Sequence, residues 1–123
     1  MKVRILGNSI RLRLRQKEVC RFQQSGEVQE KTSFGNGIAD RLSFVLKEGT
    51  GNEFKISFLL NTVTIEIPKS VSNEWTNTAL VGFEESIDTG KGETIKILVD
   101  LLLLNPFFTI ELSFFFAVDL FFF

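Results

Sequence analysis

Shifted by 53 residues, the sequence lies on itself: residues 1–47 align with residues 54–100 without a gap. Identities are few, at Lys2/Lys55, Leu6/Leu59, Asn8/Asn61, Val28/Val81, Ser33/Ser86 and Gly37/Gly90. The apolar register is kept far better. Val3 meets Ile56, Ile5 meets Phe58, Ile10 meets Val63, Leu12 meets Ile65 and Leu14 meets Ile67. Phe22 meets Trp75, Phe34 meets Ile87, and Leu42, Phe44 and Leu46 meet Ile95, Ile97 and Val99. Core-type positions matching at one offset are the mark of a duplicated supersecondary unit. Whatever one half folds into, the other half should fold into as well.

Each half carries the same local signals. Residues 2–6 and 9–15 alternate apolar and polar, the period of a half-covered strand, with Gly7-Asn8 at the turn between them. A short helix is expected over about 16–24, with Val19 and Phe22 on one face and Ser25-Gly26 ending it. Strands at 27–34 and 41–47 flank the loop Gly35-Asn36-Gly37. In the second half the strands are expected at 54–60, 62–67, 80–87 and 94–100, with the turn Asp88-Thr89-Gly90-Lys91-Gly92 between the last two. Pro68 stands where a helix's first turn needs no N–H donor, and Val71 and Trp75 form that helix's apolar face. The reading is β-β-α-β-β, twice.

The succession strand, Gly-Asn-Ser turn, strand, Ile-Pro-Lys, short helix, Gly-acidic-x-Val, hairpin resembles the AbrB-type swapped-hairpin domains of bacterial transition-state regulators and MazE-type antitoxins. The first copy holds Gly7-Asn8-Ser9 and Gly26-Glu27-Val28, with Leu14-Arg15-Gln16 in place of Ile-Pro-Lys. The second holds Ile67-Pro68-Lys69, with Leu60 at the turn glycine and Ala79-Leu80 at the Gly-acidic pair. The whole chain is also similar to a small uncharacterised bacterial family of about this length. The resemblance implies an α+β, mostly β fold. Copy one (1–47) and copy two (54–100) would form an intrachain pseudo-dimer, barrel-like, in a monomer with an internal pseudo-two-fold. Tethering the copies replaces a bimolecular association by one at high effective concentration.

Only the first copy carries an arginine row. With Val3, Ile5, Ile10, Leu12 and Leu14 turned inward, Lys2, Arg4, Arg11, Arg13 and Arg15 share the other face. In swapped-hairpin regulators basic residues on these strands contact DNA, so the resemblance implies a nucleic-acid face at Arg4, Arg11, Arg13 and Arg15, beside Lys2. The second copy has Ser57, Thr64, Glu66 and Pro68 there, so a duplex would be met on one side, without palindromic half-sites. Five phosphate contacts would give a salt slope of about −4.5. The competing reading is structural: alternating arginines keep a sheet face soluble, or they pair with the acidic second half. Residues 1–53 carry ten Lys/Arg against six Asp/Glu, and residues 54–123 carry four against nine. Glu66, Glu74, Glu84 and Glu85 are the expected counter-charges. The preferred function is a structural or protein-interaction module, with a DNA-binding regulator or an antitoxin-like protein as the alternative.

Catalysis finds little purchase. The chain has no His and no Tyr, so the commonest acid/base near neutral pH is missing. Cys20, the single cysteine, is read as a buried structural thiol with no His partner. Asp88-Thr89-Gly90-Lys91-Gly92 lacks the spacing and following helix of a phosphate loop. Glu84 and Glu85 are strand neighbours facing opposite sides, and Trp75 is a core anchor. No enzyme activity, metal or cofactor is expected. One cysteine and no apolar run behind a basic start suit a reducing, cytoplasmic setting.

Residues 101–123 depart from this pattern, with 17 apolar residues in 23 and eight of the chain's 14 Phe. Three readings stand: a non-native stretch such as a shifted reading frame yields, ranked first; a partner-binding segment around Thr109-Ile110-Glu111-Leu112; and a C-terminal membrane anchor. For the anchor, gains of about 0.3–0.6 kcal/mol per Leu or Phe are offset by Glu111 and Asp119 at about 2.5–3.5 kcal/mol each. A membrane partner is therefore not expected.

Overall fold

A computed structural model describes residues 1–78 and 81–102. The three readings of the tail beyond residue 102 lie outside the described residues. The first half forms β1 (Lys2–Leu6), β2 (Ser9–Leu14), α1 (Gln16–Ser25), β3 (Glu27–Ser33), one 3-10 turn (Ile38–Asp40) and β4 (Arg41–Glu48). The second forms β5 (Lys55–Leu59), β6 (Thr62–Ile67), α2 (Lys69–Asn77), β7 (Gly82–Gly90) and β8 (Glu93–Leu101).

The strands make two four-stranded sheets, β1-β2-β8-β7 and β3-β4-β6-β5. Each sheet takes one hairpin from each half of the chain. The hairpins are antiparallel, and they meet at parallel junctions: Leu12 opposite Val99 and Leu14 opposite Leu101 in one sheet, Leu46 opposite Ile65 and Glu48 opposite Ile67 in the other. Backbone bonds at corresponding places tie the junctions. Asn8 O accepts the Lys96 N–H at 3.0 Å, and Asn61 O accepts the Ser43 N–H at 3.0 Å. At the other end Leu14 O accepts the Leu102 N–H at 2.7 Å, and Ile67 O accepts the Gly49 N–H at 2.9 Å. In both comparisons the paired atoms recur 53 residues apart.

The core lies between the sheets. Ile10, Leu12, Leu14, Ile97 and Val99 meet Phe44, Leu46, Val63, Ile65 and Ile67, all buried. The helices contribute Val19, Phe22 and Trp75, and the Phe22 and Trp75 rings lie 5.7 Å apart. Trp75 also meets the ring of Phe83 edge-on at 5.5 Å. Gly26, at φ 77°, ends α1 by donating its N–H to Phe22 O, which an L side chain would resist. Two expectations change. Ile5 faces Ile10 across the hairpin but is 56% exposed, because it sits one residue from the β1 end at the rim of the core. Cys20 is exposed, since the buried side of α1 is made by Glu18, Val19 and Phe22.

The two places where β1 approaches β3 and β5 approaches β7 are closed differently. The Met1 ammonium donates to Glu18 and to Glu30, the latter at 3.0 Å. The residues 53 positions on from Met1 and Glu30 are Phe54 and Phe83, whose rings pack 5.9 Å apart. Burial opposes ionisation of the ammonium, but the hydrogen bonds to Glu18 and Glu30 raise its pKa above the ordinary 8.0. Burial likewise opposes the Glu18 carboxylate, and the ammonium and the Arg15 N–H together pull it below 4.5.

Two outcomes are expected. The ammonium contributes stability that is complete below pH 8.0 and is lost as the pH rises through its raised value. Glu18 contributes above 4.5 and is lost as the pH falls through its lowered value. Urea midpoints against pH should therefore show a plateau falling at both ends, and N-terminal acetylation should remove the alkaline fall. Separately, Leu60 occupies the left-handed region at φ 51°, where the first hairpin has Gly7 at φ 55°. Leu60→Gly should raise unfolding stability by about 1 kcal/mol, since the left-handed conformation costs an L residue roughly that much.

Candidate functional site

The arginine row is built by strand alternation. Ile10, Leu12 and Leu14 of β2 point into the core, which turns Arg11 and Arg13 to the opposite face of the sheet. Across the antiparallel pair Arg4 lies opposite Arg11 and Lys2 opposite Arg13. Like charges in register repel, so the row needs a carboxylate. It comes from β8, through the parallel junction that sets Arg13 opposite Asp100.

Asp100 is fully buried, as is Arg11. Arg11 Nη2 donates to Asp100 Oδ2 at 2.7 Å, and Arg13 Nε lies 3.7 Å from Asp100 Oδ1. Burial lowers the Arg13 pKa, with Asp100 pulling it back and Arg11 and Arg4 adding to the fall. On the other side of Asp100 the register places Gly82. A Cβ built there would stand 2.4 Å from the Val99 carbonyl oxygen and 2.8 Å from Asp100 Cβ. The glycine lets β7 approach β8 beside the buried carboxylate. Further along, Lys96 Nζ meets Glu84 at 3.1 Å.

The five residues expected to share an open face therefore divide. Lys2 and Arg15 are exposed and Arg4 and Arg13 are partly covered, but Arg11 has no accessible surface. This corrects the expectation of five surface charges: a fully buried guanidinium bonded to Asp100 does not face an incoming phosphate. Arg15 has a further role, donating its backbone N–H to Glu18 Oε1 at 3.0 Å at the start of α1. The expected counter-charges were Glu66, Glu74, Glu84 and Glu85; Asp100 takes that place for Arg11 and Arg13.

A signal for Asp100 does exist in the sequence. At the 53-residue offset Arg13 matches Glu66, and Asp100 matches Lys47. In the second sheet Lys47 lies opposite Glu66 with 3.2 Å between charged atoms. The same junction thus carries an ion pair in both sheets, with the signs exchanged. In the second row Lys55 also lies opposite Glu66, and Ser57 and Thr64 set one neutral partner opposite the other. Among the described residues no three His, Cys, Asp or Glu side chains stand close enough to hold a metal ion, and no helix is long and apolar enough to cross a membrane.

The sequence profile of a family of unknown function, DUF7009, matches residues 1–101. The chain belongs to the DUF7009 family. The match spans both halves and every strand and helix described, and stops where the Leu- and Phe-rich segment begins. No curated protein and no solved structure matches the chain.

Removing one partner of a buried ion pair strands the others. Asp100→Asn should lower unfolding stability by about 3–5 kcal/mol in chemical denaturation. In the double variant Arg11→Met/Asp100→Asn the loss should be smaller than the sum of the single losses, because the two side chains share one interaction.

Proposed function

We propose that this DUF7009 chain is a non-catalytic structural or protein-interaction module: a tandem swapped-hairpin domain, related in architecture to AbrB-type domains, that makes its dimer within one chain. The observation that carries the functional half is the Arg11–Asp100 bond, 2.7 Å long and buried, with Arg13 beside it. It commits the centre of the basic row to holding the two halves together. The architectural half is supported by the exchange of hairpins between halves and by junction bonds that recur at one offset. A domain of this kind stands as a monomer with an internal pseudo-two-fold, and its single cysteine suits a reducing, cytoplasmic compartment.

Lys2 and Arg15 remain exposed with Arg4 partly so, which keeps duplex DNA as the second reading. Three phosphate contacts would give a salt slope of about −2.7. Fluorescence anisotropy with labelled duplex between roughly 50 and 200 mM salt decides between them. The expected result is no saturable binding. Salt-sensitive binding that a Lys2→Ser/Arg4→Ser/Arg15→Ser variant loses would sink the interaction-module reading in favour of a regulator. Those three positions leave the buried Arg11–Asp100 pair intact.

A further inference from the structure

Among the described residues both sheets are open, and each presents two edge strands: β1 and β7 in one, β3 and β5 in the other. β5 and β7 flank a groove. It consists of two adjoining open depressions, about 500 Å³ beside Phe54, Glu85 and Ile87 and about 370 Å³ beside Lys55, Ile56 and Ile87. Its floor is apolar, since Phe54, Ile56 and Ile87 are half-buried and packed on the core. Its rim is acidic. Glu53, Glu85 and Asp88 are exposed along it, with Glu66 at one wall and Lys55 as the base among its lining residues.

The edges themselves differ in how they resist pairing. β1 carries Lys2 and Arg4, β3 carries Glu27, Glu30 and Lys31, and β7 carries Glu84, Glu85 and Asp88 with a bulge between Asp88 and Gly90. Charges and bulges of this kind keep other strands away. β5 carries Lys55 at its start and then runs Ile56-Ser57-Phe58-Leu59 without another charge. Phe58 and Leu59 are 68% and 70% exposed. An unguarded edge beside an apolar floor and an acidic rim is the geometry of strand addition.

We propose that the β5–β7 groove docks an extended segment of a partner protein in which apolar and basic residues alternate. The segment adds as a strand beside β5, sets its apolar side chains over Phe54, Ile56 and Ile87, and turns its cations to Glu53, Glu85 and Asp88. The charge of the rim selects this occupant. The chain's own residues 103–123 carry Glu111 and Asp119 and no Lys or Arg, so the rim repels them. This inference rests on the interaction-module reading and gives it a surface and a partner chemistry.

The test uses the full chain and two blocked, labelled hexapeptides, one alternating lysine with valine and one alternating glutamate with valine. Anisotropy reports affinity, and backbone amide shifts report where the peptide sits. The lysine peptide should bind in a salt-sensitive manner and shift amides of residues 53–57 and 85–88. A Glu85→Lys/Asp88→Lys variant should bind it about tenfold less tightly and should gain binding of the glutamate peptide. Equal binding of both peptides, shifts elsewhere on the molecule, or an equally tight variant would overturn the proposal. So would sedimentation showing that a second copy of the chain fills the groove. Failure here with no DNA binding removes the groove and leaves the module reading standing, whereas specific DNA binding removes the module reading itself.

Discussion

Neither half of this chain can finish a sheet alone. β1 and β2 reach their third strand only at β8, and β5 and β6 reach theirs only at β4. The parallel junctions carry the most deeply buried residues, Leu12, Leu14, Ile97 and Val99 on one side and Leu46, Ile65 and Ile67 on the other. A fully buried Leu, Ile or Val contributes about 1.5–3 kcal/mol relative to an exposed one. An isolated half would expose these faces to water. The joined halves cover them, and the helices, caps and turns are arranged around that exchange. Residues far apart in sequence must meet before the core exists, which makes the fold one of long-range contacts.

The ion pairs sit on the same junctions, with different chemistry in the two sheets. Two junctions related by exact symmetry would carry the same pair. Here one sheet places Arg13 and Arg11 around a buried Asp100, and the other sets Lys47 against Glu66 nearer to solvent. A buried ion pair gains little net stability over apolar residues of like size, because desolvation offsets much of the attraction. Its effect is on pairing: a hairpin bearing two guanidiniums is mismatched against any strand that lacks the carboxylate. The exchanged signs therefore favour β2 beside β8 and β6 beside β4 over the reverse.

The two seams differ as well. One is held by a cation, the Met1 ammonium between Glu18 and Glu30, and its counterpart by two rings, Phe54 and Phe83. Beyond the rings the second seam widens into a groove with an apolar floor and an acidic rim. A strictly symmetric dimer would have two such seams alike. Here one is closed by charge and the other has different chemistry.

Local chemistry was legible in the residues themselves. The Gly7-Asn8 turn, the Gly26 cap, the start of α2 after Pro68 and the alternation of β2 and β6 follow from short-range sterics and side-chain period, and all appear near the expected boundaries. So does the inward set Ile10, Leu12 and Leu14, because alternation leaves them no other face. Cys20 is exposed because a helix of ten residues with one buried stripe leaves its neighbouring positions open. The exchanged charges at the 53-residue offset hint at a partner for the arginine row, but strand alternation says only which side a residue faces and nothing of what lies across the sheet. Asp100 is 89 residues from Arg11 in the chain, and strand order alone brings them within hydrogen-bonding distance. Interactions that reach a few residues fix the local elements and their apolar faces. Tertiary structure decided which hairpins pair, and with them whether a positive charge is a surface or an interior one, because register between distant strands sets every charge's neighbour.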